Sequence, residues 1–85
     1  MKKIELHIQS RSDLHDLFER ELPQPYGRTL DALHDALSCY PEMLSVCFDS
    51  VKLYAALGDR YAENFLRMLD DTAKENPNLQ IEKKE

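Results

Sequence analysis

Asp31, His34 and Asp35 fall within one helical turn of each other, in a segment whose apolar residues recur at helical spacing. Paired carboxylates are the residue types that general acid–base catalysis uses. A catalytic pair flanks a pocket, however, with one pKa raised by burial. Here both acids belong to the polar face of one helix, and the sequence shows no second wall. The same three residues also offer ligands to a metal ion, but one helix supplies too few for a strong site. Cys39 and Cys47 are nucleophiles on paper, yet nothing local lowers either thiol pKa. Gly27 and Gly58 are the only glycines, so there is no glycine-rich phosphate cradle, P-loop or Gly-x-Ser-x-Gly turn. These absences predict a protein that is not an enzyme and that uses no cofactor and no metal. A small enzyme or metal-dependent hydrolase centred on Asp31, His34 and Asp35 is the rival from the catalytic class.

Composition narrows the partners. Sixteen acidic residues against eleven basic ones give a net charge of −5. Direct contact with nucleic acid calls for clustered Lys and Arg, so this balance argues against it. A basic protein partner is compatible with it, since an acidic patch steers such a partner into encounter. The start, Met-Lys-Lys-Ile-Glu-Leu-His-Ile, lacks the apolar run and cleavage site of a signal peptide, and no stretch suits a membrane span. Two cysteines are too few for a disulfide framework and have no zinc spacing. The expectation is a cytoplasmic protein with reduced thiols, no membrane contact and a single domain over residues 1–85.

The elements that must position these residues follow from periodicity. Ile4, Leu6 and Ile8 alternate with polar residues, which predicts a half-buried strand over residues 3–8. Ser10 or Ser12 then caps a helix with Asp13 in its first turn; Leu14, Leu17, Phe18 and Leu22 form its stripe, and Pro23 and Pro25 stop it. His15 is expected on the flank of that helix without a special role. Thr29 caps the second helix, with Leu30, Leu33 and Leu37 on one side and Asp31, His34, Asp35 and Ser38 on another. The continuous apolar run Met43–Phe48 predicts a central strand. A short helix from Ser50 to Leu57 stops at Gly58, and Asp59 is the expected cap of the longest helix, with Tyr61, Phe65, Met68 or Leu69, and Thr72 facing inward. Asn76-Pro77 ends that helix, and Leu79 and Ile81 alternate in a last strand. The order β-α-α-β-α-α-β predicts an α/β fold, a three-stranded parallel sheet with helices mostly on one face.

Like charges at i and i+4 destabilise a helix by about 0.2–0.5 kcal/mol, and Asp35 lies too far in for the helix dipole to offset this. Either the pair simply faces solvent, or both carboxylates face outward to meet cations of a partner, since guanidinium groups bind carboxylates bidentately.

Ser12-Asp13-Leu14-His15, Glu21-Leu22 and the stretch Tyr26-Gly27-Arg28-Thr29-Leu30-Asp31-Ala32-Leu33-His34-Asp35 resemble the barstar family, intracellular inhibitors of a secreted bacterial ribonuclease. The shared signature is YGxxLDALxD followed by an aromatic residue, here Tyr40. The resemblance implies the two-layer fold with three parallel strands and four helices. It also implies a ribonuclease inhibitor whose second helix and preceding loop block the basic active site of a barnase-type enzyme. Carried over by position, it implies that Asp35 inserts deepest and that Asp31 lies beside it. Gly27 is then the loop glycine, Tyr40 the aromatic at the helix end and Asp71 a peripheral acidic contact. His34 stands where the family has tryptophan and Pro25 where it has tyrosine, and the loop between the first two helices is shorter by about two residues. Tyr26 reads either as a packing anchor or as a contact. With these, the expected partner-binding set is Pro25, Tyr26, Gly27, Asp31, His34, Asp35, Tyr40 and Asp71. The alternative is a non-catalytic adaptor or immunity-like module that binds another basic partner with the same face.

Overall fold

The computed structural model describes residues 2–22 and 26–84. The prolines expected to stop the first helix, Pro23 and Pro25, lie outside the described residues. The elements run β1 (Lys2–Glu5), α1 (Arg11–Glu21), α2 (Leu30–Ser38), β2 (Leu44–Phe48), α3 (Ser50–Leu57), α4 (Asp59–Glu75) and β3 (Leu79–Lys83). This is the order that periodicity predicts.

β2 lies between β1 and β3 and pairs parallel with both. Every residue of β2 is buried, as its unbroken apolar run requires of a central strand. Ile4, Val46 and Ile81 share one row across the sheet, and Leu44 and Leu79 share another. Both crossovers step in the same direction, so right-handed connections place both helix pairs on the face that carries these rows. The opposite face is polar: Lys3, Glu5, Gln80 and Glu82 are exposed there. Ser45 and Cys47 project to that face from the middle strand yet are buried. The Cys47 thiol donates to Glu82 Oε2 at 3.2 Å, so the flanking side chains cover it.

The helix starts follow the capping residues. Ser10 Oγ accepts the Asp13 N–H at 3.1 Å, Thr29 Oγ1 accepts that of Ala32 at 3.1 Å, and Asp49 Oδ1 accepts that of Lys52 at 3.2 Å. The fourth start differs from expectation. Gly58, not Asp59, occupies the cap of α4, and no side chain caps this end. Gly58 ends α3 by donating its N–H to the Tyr54 carbonyl at 2.9 Å, and it begins α4 by accepting the Ala62 N–H at 2.9 Å. Serving both helices places it at φ 84°, which glycine adopts without steric cost. Asp59 sits one residue later, in the first turn, where the dipole favours it.

β1 is also shorter than the alternation predicts. The Leu6 N–H still bonds to the Cys47 carbonyl at 2.9 Å, but that of His7 turns back to the Glu5 carbonyl at 3.1 Å and ends the strand. Leu14 and Phe18 of α1, Leu33 and Leu37 of α2, and Phe65 and Leu69 of α4 are fully buried between the helices and the sheet. Phe18 and Phe65 meet with ring centroids 6.3 Å apart. Burying side chains of this size contributes about 1.5–3 kcal/mol each. On α4 it is Ala62 that points inward; Tyr61 is half-buried at the flank, where it meets α1.

Candidate functional site

The approach to α2 is built by two residues acting in opposite directions. Tyr26 turns inward: its hydroxyl donates to the His15 carbonyl at 3.2 Å and lies 2.9 Å from His15 Nδ1. Burial pushes its phenol up to about 12, against a smaller opposing effect of Arg28. Arg28 turns outward. Its guanidinium pairs with Asp16 at 2.9 Å and Glu19 at 3.3 Å, on the exposed side of α1. Its backbone has φ 56°, a left-handed conformation uncommon for a residue with a side chain. Gly27 does not occupy the left-handed region; a Cβ there would meet Ala32 Cβ at 3.4 Å, an ordinary contact.

His15 corrects the expectation of a flank residue without a role. It is only 6% exposed, and its second ring nitrogen, Nε2, lies 2.8 Å from the Tyr61 hydroxyl. Sequence periodicity misses this because its two tyrosine partners come from the loop and from α4. Desolvation holds the imidazole below its ordinary range, with Arg28 acting in the same direction.

The far end of α2 is held by a second residue that sequence reasoning missed. Asn76 is buried, and its amide donates to the carbonyls of Leu37 at 2.9 Å and Tyr40 at 3.1 Å. Its own oxygen accepts the Asn78 N–H at 3.0 Å. The end of a helix leaves carbonyls without partners, and here the side chain that follows α4 supplies donors for that end of α2. Tyr40 itself is half-buried and packs against the core.

Between these anchors, Asp31, His34 and Asp71 line one groove of about 350 Å³ where α2 meets α4. Asn64 and Arg67 complete its polar lining, and Leu30 and Met68 supply its apolar part. Asp71 is thereby brought to Asp31 from forty residues away in the sequence. Asp35 lies beside this groove with its side chain 86% exposed. His34 links the two helices: Nε2 is 3.0 Å from Glu75 Oε2 on α4, and Nδ1 is 3.6 Å from Asp35 Oδ1. Of the expected set, the structure thus gathers Asp31, His34, Asp35 and Asp71, with Gly27 exposed at one end and Tyr40 half-buried at the other. The Tyr26 hydroxyl points into the protein, and Pro25 lies outside the described residues. Sequence reasoning did not single out Glu75 or Arg67, because nothing local marks either one from the other charged residues of α4.

Among the described residues no group of three or more His, Cys, Asp or Glu side chains is arranged to hold a metal ion, and no helix is long and apolar enough to cross a membrane. Cys39 and Cys47 are both free thiols, one exposed at the end of α2 and one buried in β2. Two exposed carboxylates on a pinned helix, beside a groove rimmed by a third, make a surface suited to cationic protein groups. The fold is that of an α/β protein with, among the described residues, three parallel strands and four helices, and this acidic face lies along its second helix. The family model described as Barstar (barnase inhibitor) matches residues 3–83, and the chain belongs to that family. Members of that family are inhibitors rather than enzymes. No curated protein matches the sequence.

Proposed function

We propose that this protein inhibits a barnase-type ribonuclease by laying α2 and the loop ahead of it over the enzyme's basic active site. Asp35 enters deepest, Asp31 and Asp71 receive cationic side chains across the groove, and His34, Gly27, Tyr26, Pro25 and Tyr40 form the surrounding contact. Blockade is steric and electrostatic, with no turnover and no cofactor. The chain acts as one domain over residues 1–85 in the cytoplasm, where the enzyme would otherwise reach cellular RNA. The observation that carries this reading is the convergence of Asp31, Asp35 and Asp71, from two helices, onto one exposed face. Carboxylates so placed can occupy the position of substrate phosphate among arginine and lysine groups.

The test is inhibition of a barnase-type ribonuclease by the purified protein, titrated at low and moderate salt. Stoichiometric inhibition that weakens with salt is expected. Asp31→Ala with Asp35→Ala should weaken inhibition by about a hundredfold or more, since each hydrogen bond to a charged group contributes about 1.5–3 kcal/mol. Unfolding of the double variant should stay close to that of the parent. Full inhibition by the double variant would remove this mechanism. Absence of inhibition by the parent would turn the reading to another basic partner of the same face.

A further inference from the structure

The groove between α2 and α4 is not acidic throughout. Its α4 wall carries Asn64, Arg67 and Asp71, spaced three and four residues apart and so on one side of the helix, opposite Asp31 and His34 of α2. Arg67 has acids within helical reach in both directions, Glu63 one turn before it and Asp70 and Asp71 one turn after. Those are the spacings at which a guanidinium and a carboxylate pair along a helix. Among the described residues, however, the Arg67 side chain makes no ion pair with any of them or with Asp31, and no hydrogen bond. The Asn64 amide, one turn earlier on the same wall, has no hydrogen-bond partner among the described residues either. Both side chains are exposed.

A surface that only received cations would be weakened by an arginine at its centre, because like charges brought together across an interface disfavour the partner. An arginine with its fork of donors uncommitted, beside an uncommitted amide, suits a carboxylate, which it binds bidentately. We propose that Arg67, with Asn64 beside it, is a specificity-determining residue of this face. It pairs with a carboxylate at the edge of the ribonuclease's basic active site, next to the cations that Asp31 and Asp71 receive. The inference rests on the ribonuclease-inhibitor reading and adds to it the pattern of charge that the partner must carry. The acids around the groove draw in basic enzymes from a distance, and Arg67 then rejects those that present a cation where the carboxylate belongs.

The test uses the full chain and a barnase-type ribonuclease that the parent inhibits stoichiometrically. Parent, Arg67→Gln and Arg60→Gln are compared by inhibition titration at low salt. Arg60 lies on the same helix, is exposed, makes no ion pair among the described residues and is not part of the groove. Each variant makes the inhibitor more acidic by one charge, so attraction to a basic enzyme alone would tighten both. The proposal predicts opposite signs. Arg60→Gln should inhibit at least as tightly as the parent, and Arg67→Gln about tenfold less tightly, the loss expected of a hydrogen-bonded charge pair. Inhibition by Arg67→Gln equal to or tighter than the parent's overturns the proposal. Arg67 makes no side-chain bond within the protein, so the unfolding of this variant should coincide with the parent's.

A double-mutant cycle then identifies the acceptor. Carboxylates at the edge of the enzyme's active site are changed to amides one at a time, and binding is followed by calorimetry. One such change should weaken binding of the parent about tenfold and leave that of Arg67→Gln unaltered. If no carboxylate couples to Arg67, the proposal is overturned while the inhibitor reading stands. If the parent inhibits no barnase-type enzyme, the inhibitor reading fails and takes this proposal with it.

Discussion

His34 stands between two acids on the α2 face. One ring nitrogen lies 3.0 Å from Glu75, which ties the imidazole to α4, and the other faces Asp35 at 3.6 Å, beyond hydrogen-bond reach. In the fold this bridge counts for little: partly exposed pairs contribute about 0–1 kcal/mol. At the face it limits the freedom of His34 itself before any partner arrives. Immobilising a side chain on binding costs about 0.5–1.5 kcal/mol, so bracing it beforehand saves part of that. His34→Ala should therefore leave unfolding within about 1 kcal/mol of the parent and weaken ribonuclease inhibition by up to about tenfold. Denaturant unfolding and an inhibition titration, read together, check this. Inhibition as strong as the parent's would take His34 out of the face.

α2 needs anchors because it is short. It has nine residues, and isolated helices below about 12–15 residues are marginal in water. Leu33 and Leu37 bury one side, Thr29 caps the start, and Tyr26 and His15 fix the approach. Asn76 holds the other end from the residue just after α4. Asn76→Ala removes the amide that serves two carbonyls and should cost about 1–3 kcal/mol. Asn76→Asp should cost more, since a carboxylate would face the same two acceptors. Denaturant unfolding of both variants measures this, and a loss well below 1 kcal/mol for Asn76→Ala would show that water replaces the amide freely. These anchors also mark where the sequence stopped being legible. Element order, the parallel sheet and three of the four helix starts follow from spacings of two to four residues, which a sequence displays directly. The family signature supplied the candidate face. The Asn76 bond to Leu37 spans 39 residues and the His15 bond to Tyr61 spans 46, and local periodicity carries no trace of either. The shift of the α4 cap from Asp59 to Gly58 arises because one residue closes α3 and opens α4, which two helices read separately do not reveal.

Across the whole molecule the charge is unevenly answered. On the open sheet face Glu5 pairs with Lys84 and His7, and Glu82 pairs with Lys3. Both carboxyls are held below the ordinary carboxylate range, Glu5 first by the hydrogen bond from Lys84 and Glu82 first by that from the Cys47 thiol. Glu63 and Asp70, beside the groove on α4, are exposed and make no ion pair among the described residues. Around the groove Asp31, Asp35, Glu63, Asp70 and Asp71 outnumber Arg67, so a basic partner should be steered to the α2–α4 side. Two double variants separate this from the effect of net charge alone. Glu63→Gln with Asp70→Asn, and Glu5→Gln with Glu82→Gln, each remove two negative charges. At low salt the first should slow association with a barnase-type ribonuclease more than the second, as followed by stopped flow. Near 1 M salt, where the screening length is about 3 Å, the difference should disappear. Equal slowing by both would mean that net charge alone sets the encounter and that the asymmetry between the two faces has no kinetic consequence.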